Sequence, residues 1–151
     1  NLSELKEFYS GKSVLITGHT GFKGSWLTVL MLELGAKVTG FSLEAETDSL
    51  FSKLEVKQRI HHLIGDIRRA EDIGRAIEYC EPDVIFHFAA QALVGRGYES
   101  PAETYETNVQ GTVNLLEAQR IHPAKALLLV SSDKCYEPSK KARVNRNLDF
   151  T

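Results

Sequence analysis

Three glycines at a spacing of three, Gly18, Gly21 and Gly24, lie in Thr17-Gly-His-Thr-Gly-Phe-Lys-Gly24, directly behind the apolar run Ser13-Val-Leu-Ile-Thr17. Glycine lacks a Cβ, so such a turn can fold tightly and offer backbone amides to an anion, with the positive end of a following helix aimed at the same point. The first glycine suits the tight turn, the second lets a phosphate approach the backbone, and the third lets the helix pack closely on the strand. A purely structural turn is the bland alternative, and the position between a strand and a helix favours pyrophosphate binding over it.

Other groups with chemical potential follow along the chain. Asp66 can accept a hydrogen bond from an adenine amino group while Ile67 covers the ring, although Asp66 serves equally well as a turn or cap residue. Ala89 and Ala90 are small enough to let a dinucleotide lie against the backbone, and Gln91 adds an amide. In Ser131-Ser132-Asp133-Lys134, hydroxyl, carboxylate and ammonium groups can converge on a sugar, but such a sequence is more often only a turn. Among the histidines, His61 and His62 adjoin in a strand and so face opposite sides, a poor geometry for one metal, and no metal site is expected. His87, between Phe86 and Phe88, reads as a hydrogen-bonded core residue, and His19 as a surface residue of the turn. Cys80 and Cys135 lack the spacing of a zinc site or a disulfide framework and are read as reduced thiols.

These groups need a scaffold. The run 13–17 reads as a buried parallel strand. After it, Trp26, Leu27, Leu30, Met31 and Leu34 recur at helical spacing, so a helix is expected from about 22 to 34 with Gly35 as its stop. Residues 37–42 read as a second strand, 60–65 as a third, 69–80 as a helix, and 84–89 as a fourth strand. Ser100-Pro-Ala-Glu103 has the form of an N-cap, a first-position proline and a capping-box glutamate. It opens a helix expected to run to about residue 121, with Tyr105, Val109, Val113 and Leu116 as its apolar stripe. A strand over 126–131, buried on both faces, follows. The alternation predicts an α/β fold: a Rossmann-type doubly wound parallel sheet in three layers, α/β/α. The expected division is a lead-in over 1–10, the dinucleotide-binding domain over 11–136, and an irregular basic segment over 137–151.

The composition suits this fold. Eighteen basic residues against twenty acidic ones give a formal charge of -2, with the basic residues scattered, so no nucleic-acid partner is expected. No apolar stretch approaches the roughly 20 residues of a membrane helix, and no leader is read, so a soluble, cytoplasmic protein without membrane contact is expected.

The glycine spacing is typical of extended short-chain dehydrogenase/reductase relatives. Within them, the stretch Thr17 to Leu27 resembles the opening of CDP-glucose 4,6-dehydratases. So do Phe88-Ala-Ala-Gln-Ala-Leu-Val94, Tyr105-Glu-Thr-Asn-Val-Gln-Gly-Thr-Val-Asn-Leu-Leu116 and Ser132-Asp-Lys-Cys-Tyr136, in order. The related families carry an acidic residue where Lys134 stands. The resemblance, over about 11–136, implies an NAD-dependent nucleotide-sugar 4,6-dehydratase that converts CDP-glucose to a 4-keto-6-deoxy sugar and water. A nucleotide-sugar epimerase and a non-catalytic dinucleotide-binding fragment remain as alternatives.

Residue by residue, the resemblance assigns Gly18, Thr20, Gly21, Phe22, Lys23 and Gly24 to the phosphate turn, and Asp66 with Ile67 to adenine. Ser42, Ala89, Ala90, Gln91, Asn108 and Ser131 complete the cofactor set. Ser132 would bond the sugar C4 hydroxyl, Asp133 protonate the departing C6 hydroxyl, and Lys134 assist at C5. A homo-oligomer is implied through the helix opening at Pro101.

Two departures stand out. Ser42 occupies the place of the acidic residue that would hold the ribose hydroxyls, with Glu44 two residues on. No arginine lies in 41–46 to receive a 2′-phosphate, and NAD is preferred over NADP. Tyr136-Glu-Pro-Ser-Lys140 matches the Tyr-x-x-x-Lys pattern of the superfamily only in letters, because it follows the last strand at once and contains Pro138. The expectation is of a chain that stops short of a sugar-nucleotide domain.

Overall fold

In the computed structural model, residues 1–132 are described. The chain opens on helix α1 (Leu2–Tyr9), where a lead-in was expected. Asn1 caps it, accepting from the Ser3 amide at 2.8 Å. There follow β1 (Ser13–Thr17), α2 (Phe22–Glu33), β2 (Lys37–Ser42), the short α3 (Leu50–Leu54) with a 3-10 turn over Val56–Arg59, and β3 (His61–Ile64). Then come α4 (Ala70–Cys80), β4 (Val84–His87), α5 (Val94–Glu99), α6 (Pro101–Tyr105), a π-helical turn over Glu106–Gln110, α7 (Gly111–Ile121) and β5 (Ala126–Leu129). Among the described residues no helix is long and apolar enough to cross a membrane.

All five strands are parallel, in the order β3-β2-β1-β4-β5, which is the Rossmann arrangement. Val14, Leu15 and Ile16 of the central strand are fully buried, because alternate side chains enter cores on the two faces. On one face Leu15, Phe41 and Ile85 pack with Ile73 and Ile77 of α4 and Leu115 of α7. On the other, Val14, Ile16, Val38 and Phe86 pack with Met31, Leu34 and Tyr9. The register sets Thr17 level with Phe41 on one side and His87 on the other, at the carboxyl ends of the three central strands.

Several expectations are corrected. Helix α2 buries Gly24, Ser25, Thr28 and Met31 and leaves Trp26 and Leu30 exposed, so of the expected apolar stripe Leu27, Met31 and Leu34 meet the core and small residues fill the rest of that face. The hydroxyls pose no burial penalty, since Thr28 Oγ1 donates to the Gly24 carbonyl at 2.9 Å and Ser25 Oγ to that of Gly21 at 2.7 Å. Strand β5 is an outer strand of the described sheet and is largely exposed instead of buried on both faces.

The helix expected from 101 to 121 forms as one uninterrupted helical run, α6 passing through the π turn into α7, and the stripe Tyr105, Val109, Val113 and Leu116 is exposed. The capping box does not form: Ser100 makes no side-chain cap, and Glu103 is drawn instead to the Arg96 guanidinium at 2.9 Å. A charge-assisted pair there outcompetes the reach back to the Ser100 amide.

Candidate functional site

The sheet reverses its winding between β1 and β4, and a crevice opens beyond the carboxyl ends of the strands, where ligands bind in open α/β sheets. Its volume is about 460 Å³, and it gathers residues from four loops at the strand ends together with Arg96, Glu103 and Thr107 of the helices that follow β4. The glycine turn contributes Gly18, Thr20 and Gly21; the end of β2, Ser42 and Leu43; the loop after β3, Asp66, Ile67 and Arg68; and the loop after β4, Ala89, Ala90 and Gln91.

The turn is shaped by contacts that exclude side chains. Gly18 has φ +72°, and a Cβ there would lie 2.7 Å from the Ala89 amide nitrogen, so β4 and the turn meet backbone to backbone. A Cβ on Gly24 would collide with the Gly18 carbonyl and the His19 Cα. The third glycine thus serves packing within the turn, not the helix-to-strand contact expected of it. Gly21 differs, since a Cβ there would meet only the Gly18 oxygen, at 3.3 Å, and its outer side is open. Gly21 is the N-cap of α2 and no side chain caps the helix. The first intrahelical bond begins at the Ser25 amide, ahead of which stand the amides of Phe22, Lys23 and Gly24.

His19 is fully buried, which corrects the expectation of a surface residue. Its Nε2 lies 2.7 Å from Nδ1 of His62, and its ring meets Phe51 edge-on at 5.0 Å. The ring occupies the space beside Gly40, where any Cβ would strike it. Burial, with His62 beside it, pushes the His19 pKa down to about 4. Its Nδ1 has no partner with hydrogen-bond geometry among the described residues. His61 points away from this cluster toward the Tyr79 hydroxyl, so the two neighbouring histidines face opposite sides as expected.

On the far side of the crevice Arg68 holds Asp66. Its Nε and Nη2 reach Asp66 Oδ2 at 2.9 and 2.6 Å, and the Arg68 amide reaches Oδ1 at 3.0 Å. The side-chain hydrogen bond from Arg68 holds the Asp66 carboxyl below the usual carboxylate range. Asp66 is therefore a turn residue and a crevice residue at once. Arg68, Arg96 and Glu103 all line the crevice, and the sequence assigned none of them to the site, Glu103 having been read as a capping residue. The adjacency of Arg68 to Asp66-Ile67 was the one available signal.

The remaining expected residues distribute unevenly. Ser42 Oγ is 3.0 Å from Thr20 Oγ1, joining β2 to the turn. Asn108 does not line the crevice; its side chain bonds the backbone of Gln91 in both directions, at 2.8 and 3.0 Å. Phe22 and Lys23 are exposed beside the turn, outside the crevice lining. Ser131 and Ser132 follow β5 and are exposed, whereas Asp133, Lys134, Cys135, Tyr136 and Lys140 lie outside the described residues. His87 is a buried, hydrogen-bonded core histidine, as its sequence setting implied. The Cys80 thiol is pushed up to about 11 by burial and is poorly disposed to react.

Residues 15–148 match the GDP-mannose 4,6 dehydratase family. The chain is 48% identical over 134 residues to the CDP-glucose 4,6-dehydratase of Salmonella typhimurium, covering 87% of this chain and 37% of that protein. It is 36% identical over 138 residues to the CDP-paratose 2-epimerase of Salmonella typhi, covering 87% and 40%. Among solved structures, UDP-glucose 4-epimerase from Brucella ovis in complex with NAD superposes with a TM-score of 0.76 at 27% identity, over 90% of this chain and 40% of that one. The chain thus spans about two fifths of the length of these relatives.

Proposed function

The chain belongs to the GDP-mannose 4,6 dehydratase family, and from that premise we propose that it supplies the NAD-binding part of a nucleotide-sugar 4,6-dehydratase acting on CDP-glucose. The observation that carries the reading is the meeting of an uncapped helix start, a glycine turn that excludes side chains, and the ends of β1 and β4 around one crevice. Such a cradle fits a pyrophosphate, and the Brucella ovis epimerase, with the same fold, is a complex with NAD. The choice of CDP-glucose rests on the 48% identity to the Salmonella typhimurium enzyme.

In this reading the amides of Phe22 to Gly24 hold the pyrophosphate and Gly21 lets it approach. Ser42 and Thr20 bond the adenosine ribose, Asp66 accepts from the adenine amino group, and Ile67 covers the ring. Ala89, Ala90 and Gln91 form the opposite wall, with Asn108 bracing Gln91. Bound NAD would supply a hydride acceptor that is regenerated within one turnover, so that the net reaction is loss of water. Ser132 bonds the sugar C4 hydroxyl, Asp133 gives a proton to the departing C6 hydroxyl, and Lys134 assists at C5. We place this enzyme in the cytoplasm as a homo-oligomer, with the exposed Tyr105 to Leu116 face meeting a second copy.

The test incubates the enzyme that carries this sequence with CDP-glucose and NAD and weighs the product. A product lighter by one water supports the dehydratase. An isomer of unchanged mass would instead establish the epimerase reading, which the similarity to CDP-paratose 2-epimerase favours as the second choice.

A further inference from the structure

A line of hydrogen bonds crosses the sheet behind the crevice. Thr17 Oγ1 of β1 lies 2.7 Å from Nδ1 of His87 on β4 and accepts from the Ala89 amide at 3.2 Å. Nε2 of His87 lies 3.3 Å from Thr112 Oγ1 of α7, and that hydroxyl donates to the Asn108 carbonyl at 2.7 Å. The direction of every bond follows from the ends. Because the Thr112 hydrogen is committed to Asn108, Thr112 can only accept from His87, so Nε2 carries the ring proton. Nδ1 is then an acceptor, and the Thr17 hydroxyl donates to it while receiving the Ala89 N–H.

We propose that His87, as the neutral Nε2–H tautomer, is a positioning residue that holds both ends of the crevice wall 89–91 in their cofactor-binding placement. One arm acts through Thr17 on the Ala89 amide. The other acts through Thr112 and Asn108, whose side chain accepts from the Gln91 amide and donates to the Gln91 carbonyl. The π turn belongs to this arrangement: it bonds the Gly111 amide to the Glu106 carbonyl, five residues back, and places Asn108 beside Gln91. Burial pushes the His87 pKa down to about 4, which keeps the ring neutral under ordinary conditions. The inference rests on the reading of the crevice as an NAD site.

The test compares Thr112→Val, which keeps the shape but removes the hydroxyl, with Thr112→Ser, which keeps the hydroxyl. NAD is titrated into each purified chain at neutral pH, well below its unfolding midpoint, and ring-nitrogen NMR of histidine-labelled chain reads the tautomer. The wild type should bind NAD and show His87 protonated at Nε2. Thr112→Val should bind about tenfold more weakly, as loss of a buried hydrogen bond implies, with Thr112→Ser restored to within about twofold. A residue that served only stability would lower the unfolding midpoint of Thr112→Val and leave its NAD affinity unchanged. That result, or a ring protonated at Nδ1 in the wild type, overturns the inference while the NAD reading stands. A wild-type chain that binds no NAD overturns both.

Discussion

Arg68 grips Asp66 two residues away, through Nε and Nη2 at 2.9 and 2.6 Å on a single carboxylate oxygen, and the pair sits in the lining of the crevice. The carboxylate is therefore ionised and fixed in direction before any ligand arrives. If it receives the adenine amino group, Asp66→Ala should weaken NAD binding by about tenfold, the worth of one hydrogen bond to a charged acceptor. Calorimetric titration measures it, and an unchanged affinity would remove adenine from this end of the crevice.

The two glycines of the helix start should separate binding from folding. A Cβ at Gly21 meets only the Gly18 oxygen, at 3.3 Å, so Gly21→Val should lower the unfolding midpoint less than Gly24→Val does while abolishing NAD binding. Gly24 is closed in by the Gly18 carbonyl, so Gly24→Val should cost stability on the order of 2 kcal/mol or more, as overpacking does. Denaturant curves alongside NAD titrations test both, and tight NAD binding by Gly21→Val would count against a pyrophosphate at that turn.

NAD should bind in preference to NADP. At the end of β2 the crevice offers Ser42, Leu43 and Glu46, and the cations that line it are already engaged, Arg68 with Asp66 and Arg96 with Glu103. Among the described residues lining the crevice, an added 2′-phosphate would meet a carboxylate and no guanidinium that is not already paired. Glu46→Lys should narrow the gap between the two cofactors. Competition binding measures the ratio, and tighter NADP binding by the wild type would contradict the assignment of this end to the ribose.

Stability should fall with mild acid. His19 and His87 are buried neutral, with folded pKa values near 4 against an ordinary 6.5, so the unfolded chain takes up protons first as pH drops. Their contribution is complete above 6.5 and is lost as pH falls toward 4, on the order of 3 kcal/mol per ring at the lower limit. The Asp66 pairing is lost at still lower pH, since its carboxyl titrates below the usual range. Urea unfolding at a series of pH values from about 7.5 to about 4.5 follows this, and a flat profile would show that neither ring is buried as described.

The order of the five strands and of α2, α4 and the helix after Ser100 was legible in the sequence alone, because a buried parallel strand is a short apolar run and α4 carries its core residues at helical spacing, whereas α1, α3 and α5 were not. The sequence by itself also determined the glycine turn, because only glycine fits a positive φ pressed against Ala89. Element ends were legible to within a residue or two for β1, β2, α2 and α4.

Tertiary contacts decided what local pattern could not. Trp26 and Leu30 of α2 point outward because Gly24, Ser25 and Thr28 let the helix approach the turn more closely than those two would, while Met31 still packs in the core. The helix after Ser100 widens into a π turn around Asn108, whose side chain bonds the Gln91 backbone, 17 residues away. His19 was drawn inside by His62 on β3 and by the missing Cβ of Gly40 on β2, partners 43 and 21 positions along the chain that no local reading joins. Periodicity reports which side of an element prefers to be dry. Which residue a polar side chain bonds there is set by distant strands in register, and only the folded sheet brings them together.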